Sequence, residues 1–319
     1  MVQQSHLADE SGSSARISPR SLDDIPVLGK LPPAQAAARL REQGEEQAAT
    51  QLEETQSRGL FDAIEWPFQD RAWQHTAHAF GYIPAAAPDG SGQVAITFAG
   101  NMAADESLRG ARITIALNRL RVADYPGRGA HRILFDFYAQ NQTASGGEDL
   151  HFNATYRAQE GETAATVGFP IFSGLNVGKA GVMLKCYTVN VQNDADHALL
   201  DMLETDVFKA GLKLISTVQP AIAPLSALAL GVTKAMAQQH QNVPVQDFAL
   251  GLDFSNTPGG ARLAQGSYLA IQIPEQLTAA WNWNEWIYDS SNGHVVSKAN
   301  PSQLLPYNYI MFGVSKYEE

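Results

Sequence analysis

The sequence predicts a mainly β protein, an antiparallel β-sandwich with an inserted α-helical hairpin and an N-terminal helical extension. From residue 93 onward, short apolar–polar alternations are separated by Gly-rich turns, which is the pattern of antiparallel sandwiches. Between about residues 196 and 241 the alternation stops and apolar residues recur at helical spacing. Before residue 59 the chain is rich in the helix formers Ala, Glu, Gln and Arg.

Composition limits the class of protein. The 319 residues are 45% hydrophobic and 17% charged, which suits a globular chain with a sizeable core and excludes a disordered one. A net charge of −11 argues against nucleic acid as a partner. The single cysteine, Cys186, excludes an internal disulfide and a Cys-based zinc site. We therefore expect no cofactor, and a small buried side chain at Cys186.

The location expected from the sequence is cytoplasmic. The first ten residues lack a basic start followed by an apolar run, so no secretory signal is predicted. No stretch of 18 or more uninterrupted apolar residues is present, so a transmembrane helix is not predicted.

A boundary is predicted near residue 59. Residues 1–58 are expected to be a flexible tail followed by a charged helical extension, and 59–319 a β-sandwich domain with a helical insertion at about 196–241. Leu40 and Leu52 are the only bulky apolar residues of the helical stretch that runs from Ala34 to about Glu53. Its helix is therefore expected to be solvated or partner-bound.

A second short helix is predicted from about residue 69 to residue 80, because Trp73, Ala77 and Phe80 fit one helical side. His75 and His78 would then be neighbours. Zinc would need two further ligands that the segment does not supply, so solvated or capping histidines are preferred.

The strands are predicted from alternation. Ile113, Ile115 and Leu117 share one parity, whereas Leu120 and Val122 share the other, and this change predicts a β-bulge around Asn118–Arg119. Further strands are predicted at about 133–137, 149–157, 163–172, 181–192, 248–254 and 269–273.

One segment partly matches a phosphate-binding loop. Ser173 stands where that motif needs glycine, and Ala180 stands where it needs a magnesium-binding hydroxyl. The following residues have the pattern of a strand and not of a helix, so no helix N-terminus would hold phosphate. A glycine-rich β-turn is predicted instead. Gly-x-Ser-x-Gly is also absent, which leaves a serine hydrolase unsupported.

Acidic residues at turns raise the question of calcium. Asp194 and Asp196 are the best local candidates, since Ca²⁺ takes oxygen ligands. The same residues could cap the helix expected to follow. The cap is the preferred interpretation.

Three of the five tryptophans lie within six residues. If the chain is extended there, Trp281 and Trp283 share one face. They could then contact sugar rings or a partner's aliphatic surface. The preferred interpretation is that they close one end of the core.

The insertion at 196–241 is the main candidate interaction element. Leu225, Leu228, Val232 and Met236 recur at helical spacing and are predicted to face another protein chain, most simply a second copy. A hairpin packed on the sandwich and a membrane-active hairpin are the alternatives.

The function expected from these patterns is non-enzymatic binding or assembly through contacts with other protein chains. The first alternative is a membrane-docking protein that uses 196–241 or the apolar segment 59–68. The second is an enzyme whose catalytic groups come from distant loops.

Overall fold

The computed structural model describes residues 22–58, 71–85, 92–144, 146–164, 167–192, 206–214, 222–255 and 259–318, together with residues 196, 200 and 203. The protein is mainly β, with 44% strand and 24% helix, as the alternation predicts. The helices are α1 (Pro33–Glu42), α2 (Glu46–Arg58), α3 (Asp206–Ala210) and α4 (Ile222–Gln238). The strands are β1 (Ala77–Pro84), β2 (Gln93–Ala95), β3 (Thr97–Phe98), β4 (Arg112–Arg121), β5 (Ala130–Thr143), β6 (Gly146–Gln159), β7 (Phe169–Asn176), β8 (Gly181–Val191), β9 (Leu212–Lys213), β10 (Val243–Asp253), β11 (Ala261–Arg262), β12 (Gly266–Ile273), β13 (Trp286–Asp289), β14 (His294–Ser297) and β15 (Tyr309–Lys316).

Within the described residues the strands form three sheets. The seven-stranded sheet has the order β3-β1-β12-β15-β4-β7-β9, and the five-stranded sheet has the order β11-β10-β8-β5-β6. The small three-stranded sheet has the order β14-β13-β2. Most neighbours are antiparallel, and the two exceptions are the short pairs β7–β9 and β10–β11.

The main core is built from side chains of the two larger sheets. The ring of Phe137 in β5 is 5.4 Å from that of Phe312 in β15 and 6.4 Å from that of Phe172 in β7, measured between centroids. All three side chains are fully buried. Alternate residues of a strand point to opposite faces. The side chains on the opposite face of each strand can therefore pack against other parts of the chain.

A second apolar cluster lies on the other face of the seven-stranded sheet. Leu269 and Ile271 of β12 belong to this cluster, whereas Tyr268 and Ala270 belong to the main core. The small sheet contributes Val94 and other side chains to the second cluster. The seven-stranded sheet is therefore covered on both faces.

The bulge predicted in β4 is confirmed. Arg119 pairs with Met311 and Leu117 pairs with Phe312, so Asn118 has no partner of its own in β15. This extra residue restores the inward direction of Leu120, which is fully buried.

The helix predicted over 69–80 is wrong. Only a short 3-10 turn at Ala72–Gln74 is helical in the described part of this segment, and β1 follows. β1 pairs with β12 over its whole length, from Ala77 opposite Ile273 to Pro84 opposite Gly266. Trp73, Ala77 and Phe80 fit a helix by spacing, but pairing with a strand almost two hundred residues away overrides that local preference.

The solvated helix predicted for the N-terminal extension is also wrong. The chain forms two helices separated at Gly44, whose φ is +75°. Ala36, Ala37 and Leu40 are buried, because small alanine side chains let α1 approach the core closely. Leu28 is buried as well. We call residues 22–58 the N-terminal arm.

The inserted segment is more than a helical hairpin. After the five-residue α3 the chain forms β9, which pairs in parallel with β7 through Leu212 opposite Phe172. The 17-residue α4 then begins at Ile222. The strand predicted at 163–172 is shifted, since β7 begins at Phe169, directly after Gly168 with its φ of +64°.

Candidate functional site

Helix α4 packs across β6, β5 and β8 of the five-stranded sheet. Its sequence is apolar apart from a few residues, and Lys234 is its only charged one. Two of the polar residues, Ser226 and Thr233, are turned inward and buried. An ordinary surface helix exposes its polar residues, whereas α4 buries these two beside apolar side chains such as Val232 and Met236.

A buried polar cluster lies beneath α4 and consists of Asp136, His151, Asn153 and Thr233. Nδ1 of His151 is 2.9 Å from Oδ1 of Asp136. The Thr233 hydroxyl donates to Oδ2 of Asp136 at 2.9 Å, and Nδ2 of Asn153 donates to Thr233 Oγ1 at 2.7 Å. Nδ2 of Asn153 also donates to the backbone oxygen of Ala229 at 2.8 Å. We call these four residues the α4 anchor.

Ser226 joins α4 to the edge of the sheet. Among the described strands, β6 has a neighbour on one side only. The backbone N–H of His151 donates to Ser226 Oγ at 2.7 Å, and that hydroxyl donates to the backbone oxygen of Asp149 at 3.2 Å. Ser226 therefore satisfies two groups that an edge strand would otherwise leave unpaired.

The arrangement of Asp136, His151 and Ser226 differs from a catalytic triad. In a triad the serine hydroxyl bonds to the imidazole, whereas here Ser226 bonds to backbone atoms. All three residues are at most 5% exposed. Burial also raises the pKa of the nearby Cys186 thiol, which disfavours the reactive thiolate. These contacts hold a helix in place.

The N-terminal arm holds the other end of α4. Nη1 of Arg39 donates to the backbone oxygens of Gln239 at 3.1 Å and His240 at 2.5 Å. Nε2 of Gln43 donates to the backbone oxygen of Gln241 at 2.8 Å. These carbonyls belong to the residues that follow directly after Gln238, the last residue of α4. Arg39 therefore supports the C-terminal end of α4.

The predicted partner-facing stripe of α4 requires a correction. Val232 is 2% exposed and Met236 is fully buried, both in the main core. Leu225 and Leu228 are partly buried against the same core. The protein's own sheet covers this stripe, because the bonds made by Ser226 and Thr233 turn it inward.

A different face of α4 points outward. Ala223, Ala227 and Gly231 are exposed and lie four residues apart, so they form one stripe of small side chains. Leu228 and Leu230 flank this stripe and are half-buried. We call this surface the outer face of α4.

The tryptophans form a cluster at the second apolar core. The rings of Trp281 and Trp286 are stacked 6.2 Å apart with planes inclined by 7°. Trp283 contacts Trp281 edge-on at 5.7 Å. The chain is not extended there, since Trp283 begins a 3-10 turn. Trp281 and Trp283 are both half-buried against the second core, which lies on the other face of the seven-stranded sheet and not at one end of the main core.

Only one of the two calcium candidates lies within the described residues. Asp196 is 8% exposed and accepts a hydrogen bond from Nδ2 of Asn242 at 2.7 Å, and Asp194 lies outside the described residues. Within the described ranges, no group of three or more His, Cys, Asp or Glu residues has metal-site geometry.

The remaining sequence motifs have structural roles. The phosphate-loop-like segment ends in a turn in which the N–H of Gly178 donates to the oxygen of Gly181 at 3.1 Å, as predicted. Cys186 lies buried within β8, also as predicted. His75 precedes β1 and His78 lies within it, so the two do not share a helix face.

The α4 anchor was missed because its signals are scattered along the chain. His151 and Asn153 alternate with Leu150 and Phe152, and this pattern is typical of a strand with one solvent-facing side. The usable signal was the occurrence of Ser226 and Thr233 seven residues apart on an otherwise apolar helix, since that spacing places both on one side.

None of the family models, curated proteins or solved structures compared with this chain matches it. None of the helices in the described ranges is long and apolar enough to cross a bilayer.

Proposed function

We propose that this protein is a non-enzymatic assembly protein that associates with a second copy of itself through the outer face of α4. The proposal rests on the uncharged surface, made largely of small residues, that this helix exposes. The hydroxyl groups of Ser226 and Thr233 are bonded inside the protein. The fully exposed residues of the helix carry no charge, and they are Ala223, Pro224, Ala227, Gly231 and Gln238.

The shape of the outer face suits a helix–helix contact. Small residues spaced by four allow two helix backbones to approach closely. Leu228 and Leu230 can then pack on either side of the contact. Because the α4 anchor fixes the rotation of the helix about its axis, the same stripe faces outward in every copy.

Charge favours a second copy over a lipid surface. Two chains of net charge −11 repel each other. This repulsion is weakest where the contacting surface carries no acidic residue, and α4 contains none. Helices that bind anionic membranes carry several basic residues, whereas α4 carries only Lys234.

The size of the face limits the expected affinity. Seventeen residues of helix span about 25 Å, and one such contact buries less than the roughly 800 Å² per partner of a standard interface. We therefore expect a dissociation constant on the order of 10 µM.

We also propose that the five- and seven-stranded sheets are the two layers of a β-sandwich. The contacts of Phe137 with Phe172 and Phe312 support this arrangement, because each contact joins an inward-facing residue of one sheet to the other sheet.

Sedimentation velocity at increasing concentration tests the assembly role. The unaltered chain should shift from monomer to dimer, and Ala227→Asp should remain monomeric with an unchanged thermal midpoint. Ala38→Asp, at an exposed position of α1, is the matched control and should still dimerise. If Ala227→Asp unfolds, Ala227→Lys places the opposite charge at the same position and should likewise give a folded monomer. A chain that stays monomeric to about 200 µM, well above the expected constant, would contradict the proposal. Flotation with lipid vesicles would favour the membrane alternative instead.

A further inference from the structure

A second surface, at the tryptophan cluster, has the composition of a ligand site. A depression of about 520 Å³ lies beside Trp286, between the 3-10 turn at Trp283–Glu285 and the residues that follow β14. Its lining includes the following residues: Asn284, Glu285, Trp286, Ser297, Lys298 and Gln303. We call it the Trp286 depression, and we propose that it binds a neutral sugar.

Trp286 is held in place before any ligand arrives. Its indole stacks on that of Trp281, and Trp281 is contacted edge-on by Trp283 and by Tyr307, whose ring lies 5.9 Å away. Trp281 is thus enclosed, and its Nε1 is buried without a hydrogen-bond partner. A ring fixed in this way loses little conformational freedom when a ligand stacks on it.

Backbone hydrogen bonds fix the walls of the depression. The N–H of Lys298 donates to the oxygen of Glu285 at 2.8 Å, and the N–H of Ser297 donates to the oxygen of Gln303 at 2.9 Å. Nδ2 of Asn282 donates to Oε1 of Glu285 at 3.0 Å, which orients this carboxylate. The polar side chains therefore project from segments that are tied to one another.

The chemistry of the lining selects the class of ligand. The amides of Asn284 and Gln303 and the hydroxyl of Ser297 can each donate and accept, as sugar hydroxyls do. Glu285 and Lys298 carry opposite charges, so neither a strong anion nor a strong cation is favoured. Trp286 offers an aromatic face for the C–H groups of a sugar ring. An apolar ligand would leave most of these polar groups without partners.

Ligand-observed NMR on the full chain tests the proposal. The probes are glucose, galactose, mannose, xylose and N-acetylglucosamine, each titrated to about 50 mM. This site is open and small, so we expect saturation-transfer signals from at least one sugar, with a dissociation constant on the order of 1 mM.

Variants assign the signal to the depression. Gln303→Ala changes an exposed side chain and should weaken binding about tenfold without moving the thermal midpoint. Trp286→Ala should abolish binding, and Trp286→Phe should retain part of it if the alanine variant is unstable. Gln159→Ala, exposed at the end of β6, is the control and should bind normally. The proposal is overturned if no probe gives a signal, or if Gln303→Ala and Trp286→Phe both bind as the unaltered chain does.

Discussion

The imidazole Nδ1 of His151 lies 2.9 Å from Oδ1 of Asp136, and neither residue is more than 5% exposed. The same carboxylate accepts a hydrogen bond from Thr233 through its other oxygen, so one side chain of β5 joins β6 to α4. Directional bonds of this kind determine which side of an apolar helix faces the sheet, whereas apolar contacts alone would allow the helix to rotate. The α4 anchor thus determines which residues the protein presents to its surroundings.

Replacing Thr233 with valine should destabilise the protein by about 1–3 kcal/mol. Valine has nearly the same shape, but it leaves Oδ2 of Asp136 and Nδ2 of Asn153 each with one hydrogen bond fewer. Urea-induced unfolding measures the change. Thr97→Val, at an exposed position of β3, is the matched control and should change the free energy of unfolding by less than about 0.5 kcal/mol. Equal effects of the two substitutions would contradict the role given to the anchor.

Replacing Arg39 with methionine should loosen the end of α4. The substitution keeps a long apolar stem but removes the bonds to the backbone oxygens of Gln239 and His240. Amide hydrogen exchange in the last turn of α4 should become faster by roughly tenfold, as expected for a loss of about 1.4 kcal/mol. The control is Arg41→Met, because Arg41 pairs with Glu53 on the exposed surface of the arm. Unchanged exchange in the Arg39 variant would show that α4 does not depend on the arm.

His78 should make the protein sensitive to acid. Its Nε2 is buried without a hydrogen-bond partner, although the residue as a whole is partly exposed. Burial, together with the positive charge of Lys30, lowers the pKa of His78 from 6.5 to about 3. The unfolded imidazole takes up a proton below about pH 6.5, whereas the folded one does so only near pH 3. The contribution of His78 to the free energy of unfolding is therefore fully present above about pH 6.5. It is lost as the pH falls toward 3, by at most about 1.4 kcal/mol per pH unit.

The phenylalanine variant checks this pH dependence. His78 packs against the rings of Phe80 and Phe248, so His78→Phe should fit the site. Its free energy of unfolding should change less between about pH 7 and pH 5 than that of the unaltered chain. His240→Gln, at a side chain that is 88% exposed, should leave the slope unchanged. A slope that persists in His78→Phe would assign the acid sensitivity to another group.

Gly181 should tolerate no side chain. Its φ is +134°, and a Cβ atom there would lie 2.0 Å from the backbone oxygen of Leu252. Gly181→Ala should therefore cost about 3 kcal/mol or more, since a rigid strand would have to move in addition to the backbone strain. Gly110 also has a positive φ but has open space around it, so Gly110→Ala isolates the strain alone, at about 1 kcal/mol. Thermal unfolding of both variants separates the two effects, and similar losses in the two would argue against the clash.

The sequence predicted a structural element correctly where the pattern of apolar residues was local and repeated. The parity change between Leu117 and Leu120 predicted the β4 bulge, because only an extra residue can keep both side chains on the buried face. The same reasoning failed for β1. Trp73, Ala77 and Phe80 have helical spacing, and the strand that pairs with this segment is β12, far along the chain.

The candidate site was predictable only in part. The helical segment that contains α4 was recognised, but Val232 and Met236 were assigned to a partner. Apolar spacing shows that one side of a helix must be covered. It does not show whether the protein's own sheet or another chain covers that side. The decisive residues are Asp136 and His151, which are far from α4 in sequence and become its partners only after β5 and β6 pair.

The order of the strands has a consequence for how the chain is made. The main strands of the five-stranded sheet, from β5 to β10, lie between residues 130 and 253 and can pair as soon as that stretch has left the ribosome. The seven-stranded sheet forms later, because β1 pairs with β12 and β4 pairs with β15, and both partners follow β10 along the chain. During that interval Ile113, Ile115 and Leu117 of β4 lack strand β15, which pairs with them in the folded protein. The unpaired strands of a nascent chain are exposed to wrong pairings during this interval.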